Sequence, residues 1–263
     1  MKYNHVVEGR FISRPNRFIA HVEIDGKEEV VHVKNTGRCK ELLLPDARIW
    51  LEKSDKTDRK TAYDLIAVEK QLSNNSILIN MDSQAPNKVA EEWILSAKDV
   101  FPKVTYLKSE YTRKDTFSSY EEKSRFDFYI EYEDFLGVSK TMFLEVKGVT
   151  LEEEGIALFP DAPTERGLRH VAHLTEIKKE SIFQNSNNEC GILFVIQMKG
   201  PTVFSPNTNM HPAFTQALSL AKKEGVKLFA IDCNVTPDSL EWDDYVRIKL
   251  EPLWFNCYGL VNY

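Results

Sequence analysis

Apolar and polar residues alternate in five separate runs through the first seventy residues. A chain patterned with a period of two can bury one face of each run only by building a sheet. The runs are HVVEGRFISR (5–14), NRFIAHVEID (16–25), EEVVHVK (28–34), ARIWLEK (47–53) and AYDLIAVEK (62–70). Asp25-Gly26 separates the second from the third and signals a tight hairpin, because glycine reaches positive φ without a Cβ clash. Asn35-Thr36-Gly37 marks the next turn. Five short strands in so little chain suit a small closed barrel. The OB type is the commonest such module to contact nucleic acid, and an SH3-like barrel fits the pattern as well.

From about residue 82 the period changes. Val89, Ala90, Trp93, Ile94 and Ala97 fall at helical spacing, so residues 86 to 98 are expected to form an amphipathic helix with Pro86 in its first turn. The strand-like stretches VTYLKSEY (104–111), RFDFYIEY (125–132) and TMFLEVKGVT (141–150) follow. A second helix is expected from about Thr164 to Glu180, after Pro160 and Pro163. GILFVIQM (191–198) is continuously apolar, as in a strand buried on both faces. A third helix runs from Pro212 to Glu224, with Lys222 and Lys223 in its last turn and Gly225 as its stop, and KLFAID (227–232) closes the core. The expected order α, β, β, β, α, β, α, β describes a mixed sheet with helices against its faces. The chain thus divides into a barrel over residues 1–82 and an α/β domain over 83–263.

The 263 residues carry a net charge of -6, but unevenly: residues 1–80 sum to +2 and the remainder to -8. If nucleic acid binds, the N-terminal part is the expected first contact. Cys39, Cys190, Cys233 and Cys257 are scattered without a CxxC pair, which suggests neither a zinc site nor a disulfide framework and fits a reducing cytosol. The beginning of the sequence lacks the apolar core of a secretion signal, and no stretch approaches the ~20 apolar residues of a membrane span. A soluble cytoplasmic protein is expected.

FLEVKG (143–148) sets Glu145 and Lys147 two positions apart, so both leave one face of their strand. Asp127 is a polar interruption in the aromatic and apolar strand before it. Adjacent strands lie ~4.8 Å apart, so in suitable register Asp127 and Glu145 converge on one ion. Two carboxylates with room for water are what Mg²⁺, or Mn²⁺, accepts, and a neighbouring lysine can orient the attacking water. The pattern is the PD-(D/E)xK nuclease signature in its loosest form. Its ordinary alternative is a surface ion pair of little energetic weight. On the next helix Arg166, His170 and His173 recur at i, i+4 and i+7 along one flank, able to present cations to a phosphate or simply to face water. No third ligand at suitable spacing turns the two histidines into a zinc site. In GRFISRPNRF, Arg10, Arg14 and Arg17 stand among Phe11 and Phe18, the combination of phosphate contacts and stacking platforms used for nucleic-acid binding without sequence choice.

GRFISRPNRF, HVKNTGRCKELL, SRFDF, FLEVKGVTL and LFPDAPTERGLRHVAHL together resemble the sugar fermentation stimulation protein (SfsA) family over nearly the whole chain. The resemblance implies an OB-like N-terminal domain, a PD-(D/E)xK nuclease-like domain and DNA binding without sequence specificity. It also implies a regulatory role in sugar metabolism, chiefly of maltose. Carried over by position, the nuclease-like centre comprises Asp127, Glu145 and Lys147, surrounded by Glu110, Arg125, Glu165, Arg166 and His170. The DNA-facing residues it implies are Arg10, Arg14, Arg17, Asn35 and Arg38, with Arg125 at the edge of the centre. The segment YTRKDTFSSYEEK (111–123) looks longer than the turn usual in the family. Three functions fit at this point: a Mg²⁺-dependent nuclease, a non-catalytic DNA-binding regulator, and an enzyme acting on a small phosphate ester.

Overall fold

A computed structural model describes residues 1–35, 37–56, 58–113 and 125–250, and the backbone of two short strands, Phe255–Asn256 and Gly259–Leu260. The N-terminal strands are β1 (Val6–Ser13), β2 (Ile19–Ile24), β3 (Lys27–Val33), β4 (Arg48–Lys53) and β5 (Tyr63–Gln71). β1 pairs antiparallel with both β2 and β4, β2 with β3, and β4 with β5. The sheet then closes on itself where β3 meets β5 in parallel, His32 opposite Asp64 and Val33 opposite Leu65. This is the OB arrangement, and the expected SH3-like alternative falls away. Asp25 and Gly26 both sit at positive φ, 51° and 75°, as a two-residue hairpin between right-twisted strands requires. A sixth strand, β6 (Ser76–Asn80), which alternation in the sequence did not reveal, extends the sheet beyond β5.

Next come α1 (Ala85–Ser96), β7 (Lys103–Thr112), β8 (Arg125–Glu133), β9 (Ser139–Val149), β10 (Leu151–Glu153), β11 (Ile156–Phe159), α2 (Glu165–Phe183), β12 (Asn188–Ile196), β13 (Val203–Pro206), α3 (Pro212–Lys223), β14 (Lys227–Thr236), β15 (Ser239–Tyr245) and β16 (Arg247–Ile248). The main sheet has the order β15-β14-β12-β9-β8-β7, with β12 parallel to both β9 and β14. Thr164 caps α2, its Oγ1 accepting from Gly167 N at 3.0 Å. The apolar run read as a doubly buried strand is β12, closed to solvent from Cys190 to Ile196. α1 covers one face of the sheet, where Trp93 meets Phe101 edge-on at 5.5 Å and packs with Met142, Leu144 and Val146. Val171, Leu174 and Ile177 of α2 and Phe214, Leu218 and Ala221 of α3 share a core with Phe143 and Val149 of β9. The same cluster includes Phe11, Val22, Val31 and Leu65, so the barrel and the α/β domain are packed together. Gln197 Nε2 donates to Asn80 O, Asn80 Oδ1 and Asp82 O, and Lys70 Nζ reaches Glu152 Oε2 at 2.5 Å across the same boundary. Among the described residues Cys39, Cys190 and Cys233 are buried and free, and no helix is long and apolar enough to cross a membrane.

Barrel closure depends on a buried charge. Asp64 accepts from Arg59 Nη2 at 2.6 Å, Arg59 Nη1 at 2.8 Å and His32 Nδ1 at 2.9 Å, with Lys34 Nζ at 3.4 Å. Burial opposes its ionisation, but these donors outweigh burial and hold its pKa at about 2. The folded value lies below the unfolded one, so this stabilisation is complete above pH ~4 and is lost as pH falls toward 2. Denaturant titrations of the wild type and Asp64→Asn across that interval are expected to show the wild type losing about 2 kcal/mol more. Equal acid sensitivity of the two proteins would contradict this role for Asp64.

Candidate metal and phosphate centre

β8 and β9 run antiparallel with Phe128 opposite Leu144, and the next residues along the two strands are Asp127 and Glu145. The register therefore brings together the carboxylates that the sequence placed on neighbouring strands. Asp127 Oδ2 accepts from Val146 N at 2.8 Å and Oδ1 from Asn87 Nδ2 at 3.0 Å. Glu145 is only 3% exposed, held among the apolar residues of β9. Lys147 Nζ donates to its Oε1 at 2.5 Å, and His170 Nδ1 of α2 donates to the same oxygen. Among the described residues Oε2, equally buried, has no hydrogen-bond partner.

The two carboxyls respond in opposite directions. Burial, and after it the Glu145 charge, push Asp127 above the usual carboxylate range despite its donors from Val146 and Asn87. Burial acts on Glu145 in the same sense, yet Lys147 and His170 outweigh it and keep Glu145 below its ordinary value. Glu145 is thus the firm anion, and Asp127 carries the strain of sharing its surroundings. Among the described residues no group of three or more His, Cys, Asp and Glu side chains forms a metal cage. Two carboxylates and an unclaimed buried oxygen nevertheless fit a hard, hydrated divalent ion, which takes one or two protein carboxylates and keeps several waters. A fully ligated zinc does not fit.

The residues expected around this triplet divide. His170 joins it directly. Glu110, with φ of 53°, and Arg125 form an exposed ion pair with each other at the β7–β8 edge. Arg166 and Glu165 lie exposed in the first turn of α2. His173, read as part of the same flank, is buried instead, its ring 5.5 Å from that of Phe126. β8 covers that flank, which helical spacing alone could not reveal. Most of the segment 111–123 lies outside the described residues. Asn87, which holds Asp127 from the N-terminus of α1, was not anticipated: it is 40 residues away in sequence and carries no motif.

On the barrel, Arg14 is spent on structure, donating to the carbonyls of Arg38 (2.8 Å), Arg17 (2.8 Å) and Asn35 (2.6 Å). Asn35 Oδ1 accepts from Gly37 N at 2.8 Å. Arg10 reaches Asp46 O at 3.1 Å, whereas Arg17 and Arg38 extend into solvent.

A closed OB barrel followed by a mixed α/β sheet, with Asp and Glu-x-Lys meeting on adjacent strands, defines a protein of the OB plus mixed α/β class. Residues 12–80 match the SfsA N-terminal OB domain, and residues 84–239 match the sugar fermentation stimulation protein RE domain. The chain belongs to the sugar fermentation stimulation protein (SfsA) family. It is 50% identical to a sugar fermentation stimulation protein homolog of Desulfitobacterium hafniense over 250 residues, covering 95% of this chain and 99% of that one. It is 48% identical to a homolog of Clostridium beijerinckii, covering 95% of this chain and all of the other. Its fold is similar to that of Pyrococcus furiosus SfsA, with a TM-score of 0.73, 24% identity and coverage of 95% and 98% of the two chains.

Gly148 follows the triplet at a point of close approach. A Cβ there would lie 2.4 Å from Gln197 Oε1 and 2.7 Å from Pro86 Cγ, so Gln197 or the start of α1 must shift, and Asn87 with it. Gly148→Ala is expected to lose about 1–3 kcal/mol in denaturant titration, a typical cost of overpacking. Unchanged stability would show that the site has slack.

Proposed function

We propose that this protein binds DNA without strong sequence preference and hydrolyses phosphodiester bonds at the Asp127–Glu145–Lys147 centre with a divalent cation, Mg²⁺ or Mn²⁺. The observation that carries the reading is the buried, unpartnered Oε2 of Glu145 beside a second carboxyl whose ionisation its neighbour disfavours. A cation shared by Asp127 and Glu145 relieves both conditions at once. The solved Pyrococcus furiosus relative was determined in complex with Ca²⁺, another hard cation with a preference for oxygen ligands, which supports the same chemistry here.

Asp127 and Glu145 are the residues that would hold the ion. Bound there, it would polarise the phosphoryl oxygen and lower the pKa of a water molecule. His170 and Lys147 fix Glu145 through one oxygen, which leaves the other turned to the site. Val146 N and Asn87 do the same for Asp127 from two different elements. Lys147 supplies the positive charge that orients a water and offsets charge gathering on the phosphate. Arg166, exposed one turn before His170, adds a cation toward the incoming backbone. The barrel, with the more positive sequence, delivers the strand.

Titration calorimetry with Mg²⁺ and with Mn²⁺ tests the centre without requiring turnover. The wild type is expected to bind, and Glu145→Ala and Asp127→Ala to lose binding, since each removes one of two carboxylate ligands. Affinity unchanged in Glu145→Ala would remove the proposed site.

A further inference from the structure

A groove of about 660 Å³ opens on the barrel between the end of β1 with its following turn, the segment 37–45, and Ala162 ahead of α2. Its floor is apolar, from Phe11, Ile12 and Leu43, and its rim carries Arg17, Arg38 and Lys40. Among the described residues, no Asp or Glu lines it. The three rim cations are exposed, and none of them forms an ion pair with a described residue. Arg14 stiffens the groove from behind by binding the carbonyls of Arg17, Asn35 and Arg38, so the loops that carry two of these cations are tied together. Beside the groove the Phe18 ring is 52% exposed, with the Arg17 guanidinium 5.8 Å from its centroid.

This lining selects among nucleic acids. A duplex turns phosphates outward and keeps its base faces stacked inside, so it would satisfy the rim and leave the apolar floor and Phe18 without partners. A single strand supplies phosphates for the cations and unstacked base faces for the floor. Asn16 Oδ1 is already taken by the amides of Phe18 and Ile19, but Ser13 and the Asn16 amide nitrogen are polar lining groups that do not discriminate against a ribose, so the choice of deoxyribose rests on the proposed DNA-binding function. We propose that this groove seats single-stranded DNA, phosphates on Arg17, Arg38 and Lys40 and bases on Phe18, Ile12 and the Phe11–Leu43 floor; the inference rests on the barrel being the nucleic-acid-binding module. Ala162 stands two residues before the cap of α2, and the helix rises about 8 Å from Glu165 to His170. His170 holds Glu145, so a strand leaving the groove along α2 is led to the proposed metal centre.

The test is fluorescence anisotropy of the full chain in EDTA with a labelled 15-nucleotide single-stranded DNA, its duplex and the matching RNA. The single strand is expected to bind at least about tenfold more tightly than the duplex and no more weakly than the RNA. Its log–log salt slope should be about -2, from three cations each contributing about -0.7. Phe18→Ala should weaken the single strand about fivefold or more, and Arg38→Gln with Lys40→Gln should flatten the slope by about 1.4. These side chains are exposed, and circular dichroism checks that the variants are folded. Equal or tighter duplex binding would overturn the single-strand assignment while leaving the barrel as a nucleic-acid module. Tighter RNA binding would overturn the choice of DNA, and an unchanged Phe18→Ala would overturn the stacking. Absence of binding to all three would overturn the module itself, whatever calorimetry shows for the metal centre.

Discussion

Glu145 is a charge held inside a sheet, and much of the α/β domain can be understood from what makes that tolerable. A carboxylate at 3% exposure costs several kcal/mol unless cations reach it. Here a cation, Lys147, comes from the same face of β9, and a second hydrogen-bond donor, His170, comes from α2. The position of α2 is therefore electrostatically as well as hydrophobically determined, since Val171 and Leu174 bury the stripe next to the turn that carries His170. Both donors meet the same oxygen. What remains is a buried acceptor whose need an ion could answer and no described residue does.

Asp127 depends on the opposite face. Asn87 begins the helix that packs Trp93, Val89 and Ile94 under the sheet, so the geometry of the second carboxyl is coupled to the core on the α1 side. Gly148 lets Pro86 approach β9 closely enough for this, and Gln197 ties the same corner to Asn80 and Asp82 between the barrel and the α/β domain. Barrel, linker and the Asp127–Glu145 pair share one mechanical neighbourhood. The groove lies on that path, because the Gly37 segment packs against Asp161, just ahead of α2.

The sequence exposed the parts of this arrangement that are periodic or that violate periodicity. Five alternating runs gave the barrel strands, and Asp25-Gly26 gave their hairpin, since both are local. Asp127, Glu145 and Lys147 stood out because polar residues interrupted buried strands. The short strands β10, β11, β13 and β16 have two to four residues, too few to show a period. Asn87 and Gln197 act on residues 40 and more than 100 positions away, and neither belongs to a motif. His173 had the spacing of an exposed flank but lies under Phe126, because what covers a helix is decided by tertiary packing. Arg14 looked like its neighbours Arg10 and Arg17, and only the loop carbonyls around it separate a brace from a contact.

The proposed role of the buried carboxylates is catalysis, and not merely the neutralisation of an ion pair. Incubating the protein with end-labelled single- and double-stranded DNA in Mg²⁺, Mn²⁺ or EDTA, with Asp127→Ala alongside, addresses it directly. Products that require metal and are absent from the Asp127→Ala lanes are expected. Bound but uncut DNA under every condition would contradict that role, and would leave a DNA-binding protein on a nuclease-like scaffold.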